Sequence, residues 1–188
     1  MNSLAQRTLV IENWYRESDD FSTLVNYRVL RAGHIRASTS FRIQRQSVVG
    51  HELIFCLKGR GVIRLENNLH HVQEGNLVWL PVRWPHEHYP DSAEPWEILW
   101  LRIDSGKLNN IMQILNVLQE PVFSFQQPEK VIEIYYQLFH LMKSHTLVSD
   151  AHCDALCAKL IFTLLENRSL ETERSPVITH SGLGRLIY

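Results

Sequence analysis

Residues 59–81 read GRGVIRLENNLHHVQEGNLVWLP, and a stretch built this way allows little besides short antiparallel strands. Each apolar run ends within a few residues at a turn former. Gly59 and Gly61 permit a tight connection or a bulge, Asn67-Asn68 a hairpin turn, since asparagine tolerates positive φ, and Glu74-Gly75 another turn. The same punctuation holds from about residue 24 to residue 104. LVNYRVLRA (24–32) and SFRIQRQ (40–46) mix β-branched and aromatic residues with polar ones, and HELIFCLKG (51–59) is a short apolar run of the kind buried on both faces. NLVWLP and WEILWLRID (96–104) follow. Strands so short and so often interrupted point to a barrel or sandwich rather than a parallel α/β sheet.

After Asp104 the period changes. Leu108, Ile111, Met112, Leu115 and Leu118 recur at helical spacing, with Ser105 as a cap and Pro121 beyond the end. FSF (123–125) reads as a short strand. A second helix starts at Pro128, in the first turn, and carries Val131, Ile132, Tyr135, Leu138, Phe139 and Met142. A third follows Ser149 or Asp150 as cap, with Leu156, Leu160, Ile161, Leu164 and Leu165 on one face and Ala155, Ala158 and Phe162 widening it. A band that wide calls for two partners, the β layer on one side and a second subunit on the other. The expected dimer contacts are Leu156, Leu160, Phe162, Leu164 and Leu165. Ser169 to Thr179 is polar, charged and proline-containing, and reads as a linker. In HSGLGRLIY, Leu183, Leu186 and Ile187 suit the first turn of a further helix, so the chain reads as truncated, with a second domain beyond it.

The 188 residues are 45% apolar and 21% charged, as in a soluble globular domain. No apolar run approaches the roughly 20 residues of a membrane span, and the N-terminus lacks the pattern of a signal peptide. Three cysteines without a framework spacing, Cys56, Cys153 and Cys157, fit reduced thiols in the cytoplasm. The net charge is −1 and Lys and Arg form no run, so these residues are not expected to grip DNA unaided.

GRGVIRLENNLHHVQEGNLVWLPVRWPHEHY resembles the cupin-type effector domain of AraC-family transcriptional regulators. The family has a glycine-bounded hairpin followed by a segment of the form pGdlvlippgxxH, which here is EGNLVWLPVRWPH. Gly75 through Trp100 follow the spacing of the family's arabinose-responsive member nearly without gaps, and the likeness extends over roughly residues 20 to 168. It implies a mainly β fold with C-terminal helices: a cupin or jelly-roll barrel that holds an effector, and helices that form a dimerisation face. It further implies residues 1–23 as an N-terminal arm, 24–168 as the effector-binding and dimerisation domain, 169–180 as the linker and 181–188 as the start of a helix-turn-helix DNA-binding domain. The partners so implied are a small-molecule effector, a second copy of the chain, and operator DNA through the absent domain, all in the cytoplasm and away from membranes.

His86 and His88 stand two apart, on one strand face, and raise the question of a metal site. Metal-dependent cupin enzymes combine such a histidine with a His-x-His pair six and four residues before a glutamate. Before Glu52 those positions hold Gln46 and Val48, and valine cannot ligate a metal. Arg83 stands where the motif has glycine, His51 would point to the opposite face from Glu52, and His70-His71 lie on another hairpin. No nucleophile elbow, phosphate loop or convergent carboxylate pair appears. The expectation is therefore a non-enzyme with no catalytic residues, no metal and no cofactor; the alternative is a standalone cupin enzyme such as a metal-dependent sugar isomerase or dioxygenase.

A sugar needs an aromatic face for its C–H surface and donors for its hydroxyls. The resemblance puts Trp100 at the stacking tryptophan, Arg45 at an arginine that bonds sugar oxygens, and His88 at a ligand-contacting tyrosine, with His86 lining the same wall. Ile98 replaces a histidine, which removes one hydroxyl partner. Arg31, on an earlier strand, adds a second guanidinium, and two of them suit a sugar acid because the fork pairs bidentately with carboxylate.

Overall fold

The computed structural model describes residues 7–16, 24–91 and 95–174. Ten strands and three helices follow in the order β1 (Leu9–Tyr15), β2 (Arg28–Ala37), β3 (Ile43–Arg45), β4 (His51–Lys58), β5 (Arg60–Leu65), β6 (Asn68–Gln73), β7 (Asn76–Leu80), β8 (His86–Pro90), β9 (Trp96–Asp104), α1 (Leu108–Ile114), β10 (Val122–Ser124), α2 (Pro128–Leu141) and α3 (Leu147–Arg174). The strands make two facing antiparallel sheets of jelly-roll type, one ordered β1-β2-β9-β4-β7-β10 and the other β3-β8-β5-β6. The expected barrel is thus a sandwich of two sheets, with the helices stacked on the larger one as a third layer.

That third layer explains why β4 and β7 read as unbroken apolar runs. Successive side chains point to opposite faces of a sheet, and here both faces are covered. Leu53, Phe55, Leu77, Trp79, Leu99, Leu101 and Ile103 pack with the helices in one core. The alternate residues Ile54, Cys56, Val78, Leu80, Trp96 and Ile98 pack in a second core. Tyr135 of α2 donates to the Leu53 carbonyl at 2.9 Å, and Trp79 Nε1 donates to His51 Nδ1 at 3.0 Å on the same side. Gly59 and Gly75 hold positive φ, at 80° and 82°, where the chain turns between strands.

Several local expectations are corrected. Part of the expected arm is strand β1, paired with β2 from Leu9↔Arg36 to Tyr15↔Arg31. The β5–β6 turn lies at Glu66-Asn67, one residue earlier than Asn67-Asn68, because the register pairs Leu65 with Asn68; Glu66 carries the positive φ of 53°. On α2, Ile134 is buried and Ile132 only partly so. The cap of α3 is Thr146 with Ser149: each backbone N–H donates to the other's hydroxyl, at 3.0 and 3.1 Å. Residues 169–174, expected as linker, continue α3, since SLETER holds neither glycine nor proline to stop it. Residues 175–188, where the rest of the linker and the further helix fall, lie outside the described residues.

Leu160 and Leu164 are also corrected. Both are fully buried against the chain's own sheet and helices and are unavailable to a partner. The inward stripe of α3 is Cys153, Cys157, Leu160, Ile161 and Leu164. Of the other expected contacts, Leu156 and Leu165 are partly buried and Phe162 is exposed. No described helix is long and apolar enough to cross a membrane.

Candidate functional site

Alternation along β9 assigns Ile98, Trp100 and Arg102 to the face turned toward the smaller sheet. Across that face, β2 contributes Gly33 opposite Trp100 and Arg31 opposite Arg102, while β4 contributes Ile54 opposite Trp100 and Glu52 opposite Arg102. The rows run from apolar to charged: Ile35–Ile98, then Gly33–Trp100–Ile54, then Arg31–Arg102–Glu52. Gly33 has a steric reason. A Cβ there would lie 2.7 Å from Trp100 Nε1 and 2.8 Å from the Glu12 carbonyl, so only glycine lets the indole lie across β2 beneath β1.

The charged end opens into a cavity of about 240 Å³ between the sheets. Arg31, Arg45, His88, Ile98 and Trp100 line it together with Glu52 and Arg102. Its apolar walls include Ile35, Phe41, Ile43 and Ile54, and β1 closes one side with Val10 and Asn13. His86, expected with them, is not among the lining residues. It lies one step further along β8, buried, its ring stacked on that of His88 at 6.5 Å and its Nδ1 2.8 Å from the Trp84 carbonyl.

Glu52 is buried, and its Oε2 accepts from both Arg102 (3.3 Å) and Arg45 (3.4 Å). Arg31 stands at the rim, its guanidinium 4.9 Å from the centre of the Tyr15 ring. Burial lowers the Arg45 pKa, Glu52 offsets part of that, and the charges of Arg102 and Arg31 lower it further. His88, wholly enclosed, is pushed down to about 4 by burial, and His86 is lowered for the same reason, so both rings are neutral near pH 7. His88 Nδ1 and Arg102 Nε are buried without a hydrogen-bond partner.

Gln46 and Val48 stand where a metal cupin would have histidines; Val48 packs into the inter-sheet core. Among the described residues no three His, Cys, Asp or Glu side chains converge as a metal cluster would require. Arg102 was not anticipated from sequence, although its signal was present: it stands two residues beyond Trp100 on the same strand. Val10 and Asn13, three apart, share the cavity only because the β1–β2 register shifts between Val10 and Glu12, which no spacing reveals.

Residues 30–161 match the family model of the AraC-like ligand binding domain. Over 80 residues the chain is 35% identical to the MmsAB operon regulatory protein of Pseudomonas aeruginosa, covering 39% of this chain and 26% of that protein. It thus spans about a quarter of the length of that curated relative. Among solved structures, the AraC-like transcriptional activator CuxR is similar with a TM-score of 0.52 at 8% identity, covering 78% of this chain and 53% of that one. A cupin superfamily protein of Desulfitobacterium hafniense gives a TM-score of 0.41 at 12% identity, over 56% of this chain and 84% of that one. Since the family model spans residues 30–161, well over half of the chain, the chain belongs to the AraC-like ligand binding domain family of transcriptional regulators.

Proposed function

We propose that the chain is the sensing part of its regulator: it takes a small effector, a sugar or sugar acid, into the inter-sheet cavity without the help of a metal, and occupancy changes how an attached domain engages operator DNA. The observation that carries this reading is the wall itself, where an indole, three guanidinium groups and a neutral histidine converge from both sheets. A solvent-reaching pocket with few, convergent polar groups on apolar walls is what a specific small-molecule site requires. A ligand acts on such a protein only through unequal affinity for two arrangements, and β1, on the cavity wall and at the sheet edge, is the element placed to differ between them. The regulator works in the cytoplasm, where its DNA is.

The test is a thermal-stability screen of the chain with sugars and sugar acids, read beside its tryptophan fluorescence. A dose-dependent rise in midpoint that is lost in Trp100→Ala supports the reading; a rise that survives the substitution places the ligand elsewhere. The enzyme alternative is judged by metal analysis of the purified chain, where stoichiometric iron, manganese or zinc would favour it.

Homodimerisation is part of the same proposal, through the outward side of α3. Phe162, 60% exposed, Leu156, which lines an open groove with Ile132 and Tyr136 of α2, and the partly buried Leu165 are the contacts left once Leu160 and Leu164 are assigned to the core. Sedimentation of Phe162→Asp and Leu156→Asp checks it: both variants stay folded and shift toward monomer.

A further inference from the structure

The charges around the cavity do not balance. Arg31 and Arg102 stand directly opposite each other on neighbouring strands, an arrangement that like charges disfavour. Arg45 faces them from the other sheet, and the one carboxylate among the lining residues is Glu52, its single Oε2 shared at 3.3 and 3.4 Å by Arg102 and Arg45. Those contacts are long for charge-assisted hydrogen bonds, which favour about 2.7–2.9 Å. The buried Nε of Arg102 has no acceptor. Neither histidine adds negative charge. Positive charge drawn out of water is costly unless it is answered, and the chain keeps this excess along a cavity that opens to solvent.

The remaining wall decides what kind of anion fits. Ile35, Ile54, Ile98, Phe41 and Trp100 surround the arginines, so an inorganic oxyanion would leave apolar surface uncovered. The volume, about 240 Å³, equals that of about eight liquid waters. Such a space suits a short carbon skeleton.

We propose that the effector is a small carboxylate anion, its two oxygens held by Arg102 and Arg45, its carbon skeleton against Trp100 and the isoleucines, and Arg31 at the mouth drawing it in. The proposal rests on the sensor reading above and narrows its ligand class. Glu52 then acts as a positioning residue that fixes the two guanidinium groups before the ligand arrives, and His88 Nδ1 offers a polar contact to a hydroxyl on the skeleton.

The experiment pairs acids with neutral counterparts of nearly equal shape: lactate with lactamide, benzoate with benzamide, glucuronate with glucose. Each is tested by calorimetry and thermal shift on the 188-residue chain, at low and high salt. At least one acid should bind while its neutral partner does not. Arg45→Gln should weaken that acid about 10- to 100-fold, as expected when a hydrogen-bonded charge partner is lost. Arg31→Gln should weaken it less, and the difference between wild type and Arg31→Gln should shrink at high salt. Circular dichroism of the unliganded variants guards against a folding defect, and Arg31, exposed and outside the core, supplies a variant expected to fold. Glucose or the amides binding while the acids do not would overturn the carboxylate and leave the sensor standing. Inorganic phosphate binding as tightly as the acids would overturn the carbon-skeleton argument. No shift from either series at millimolar concentration would overturn both readings.

Discussion

The larger sheet has two faces made by the same strands, and they are built to different ends. On the helix side Leu53, Phe55, Trp79, Leu99 and Leu101 meet Tyr135, Leu138, Leu160 and Leu164 in a closed core, where His51 pairs with Trp79 and Tyr135 with the Leu53 carbonyl. On the inter-sheet side, the next residue along each strand belongs to a smaller core that ends in arginines, a shared carboxylate, and buried nitrogens with no partner. One residue of offset separates a face that stores stability from one that keeps polar groups waiting. Substitutions on the first should unfold the chain; substitutions on the second should change binding with the fold intact.

The sharpest break of this contrast is on α3. Leu160→Asp puts an unpaired carboxylate into the closed core and should destabilise by more than about 4 kcal/mol, effectively unfolding the chain. Phe162→Asp, two residues on and exposed, should stay within about 0.5 kcal/mol of wild type. Urea unfolding of the two measures the difference. Comparable losses would mean that the outward side of α3 is as deeply packed as the inward one.

Acid probes both faces at once, since each holds a histidine pushed down to about 4: His51 among the helices, by burial, and His88 at the cavity, also by burial. The unfolded chain takes up protons at these residues as pH falls through about 6.5, whereas the native chain does not until about pH 4. Stability is therefore full above about pH 6.5 and declines between there and pH 4, by about 1.4 kcal/mol per pH unit for each histidine. Protonated His51 would also lose its bond from Trp79. In urea midpoints from pH 7 to 4, His88→Leu should make that slope shallower without abolishing it, since His51 and His86 are lowered too. An unchanged slope would assign the acid limb to other groups.

Much of this contrast was legible before any coordinates. The strand-then-helix order, the doubly buried runs HELIFC and NLVWL, and Arg45, His88, Ile98 and Trp100 as neighbours all came from residue types at a period of two, or from a family resemblance carried by EGNLVWLPVRWPH. The helical stripe gave Leu160 and Leu164 to a partner, because a period of 3.6 says that they share a face and not which neighbour covers it. Strand β1 escaped notice for a different reason. LVIENWY draws its order from β2 rather than from a hydrophobic face of its own, with Leu9, Val10 and Tyr15 all exposed. Glu52 was legible only as a failed metal ligand; its use as an anchor for two arginines depends on distances between sheets.

Gly33 lies on the inter-sheet face, opposite Trp100. Gly33→Ala would place a methyl within 2.7 Å of Trp100 Nε1 and 2.8 Å of the Glu12 carbonyl. The indole has room to move toward the cavity, whereas the β1 backbone has to separate from β2. The expected cost is about 1–3 kcal/mol, as for other overpacked sites, with a larger effect on effector binding than on stability because both displaced groups border the cavity. A Gly33→Ala variant that binds normally would mean that Trp100 tolerates displacement, and with it that the indole is wall rather than stacking platform.

The smallest effect is expected at Arg31. Its guanidinium is exposed, lies over Tyr15, and faces Arg102 across the strand pair. Removing its charge forfeits a cation–π contact of about 0.5–1 kcal/mol at an exposed site and relieves a like-charge pairing of comparable size. In the empty chain, Arg31→Gln should therefore leave the urea midpoint within error of wild type, or raise it slightly. The same substitution should slow association of an anionic ligand, most at low ionic strength, where a rim charge acts over the longest range. Stopped-flow tryptophan fluorescence separates the two rates: a change confined to dissociation would put Arg31 in contact with the bound molecule rather than at the entrance.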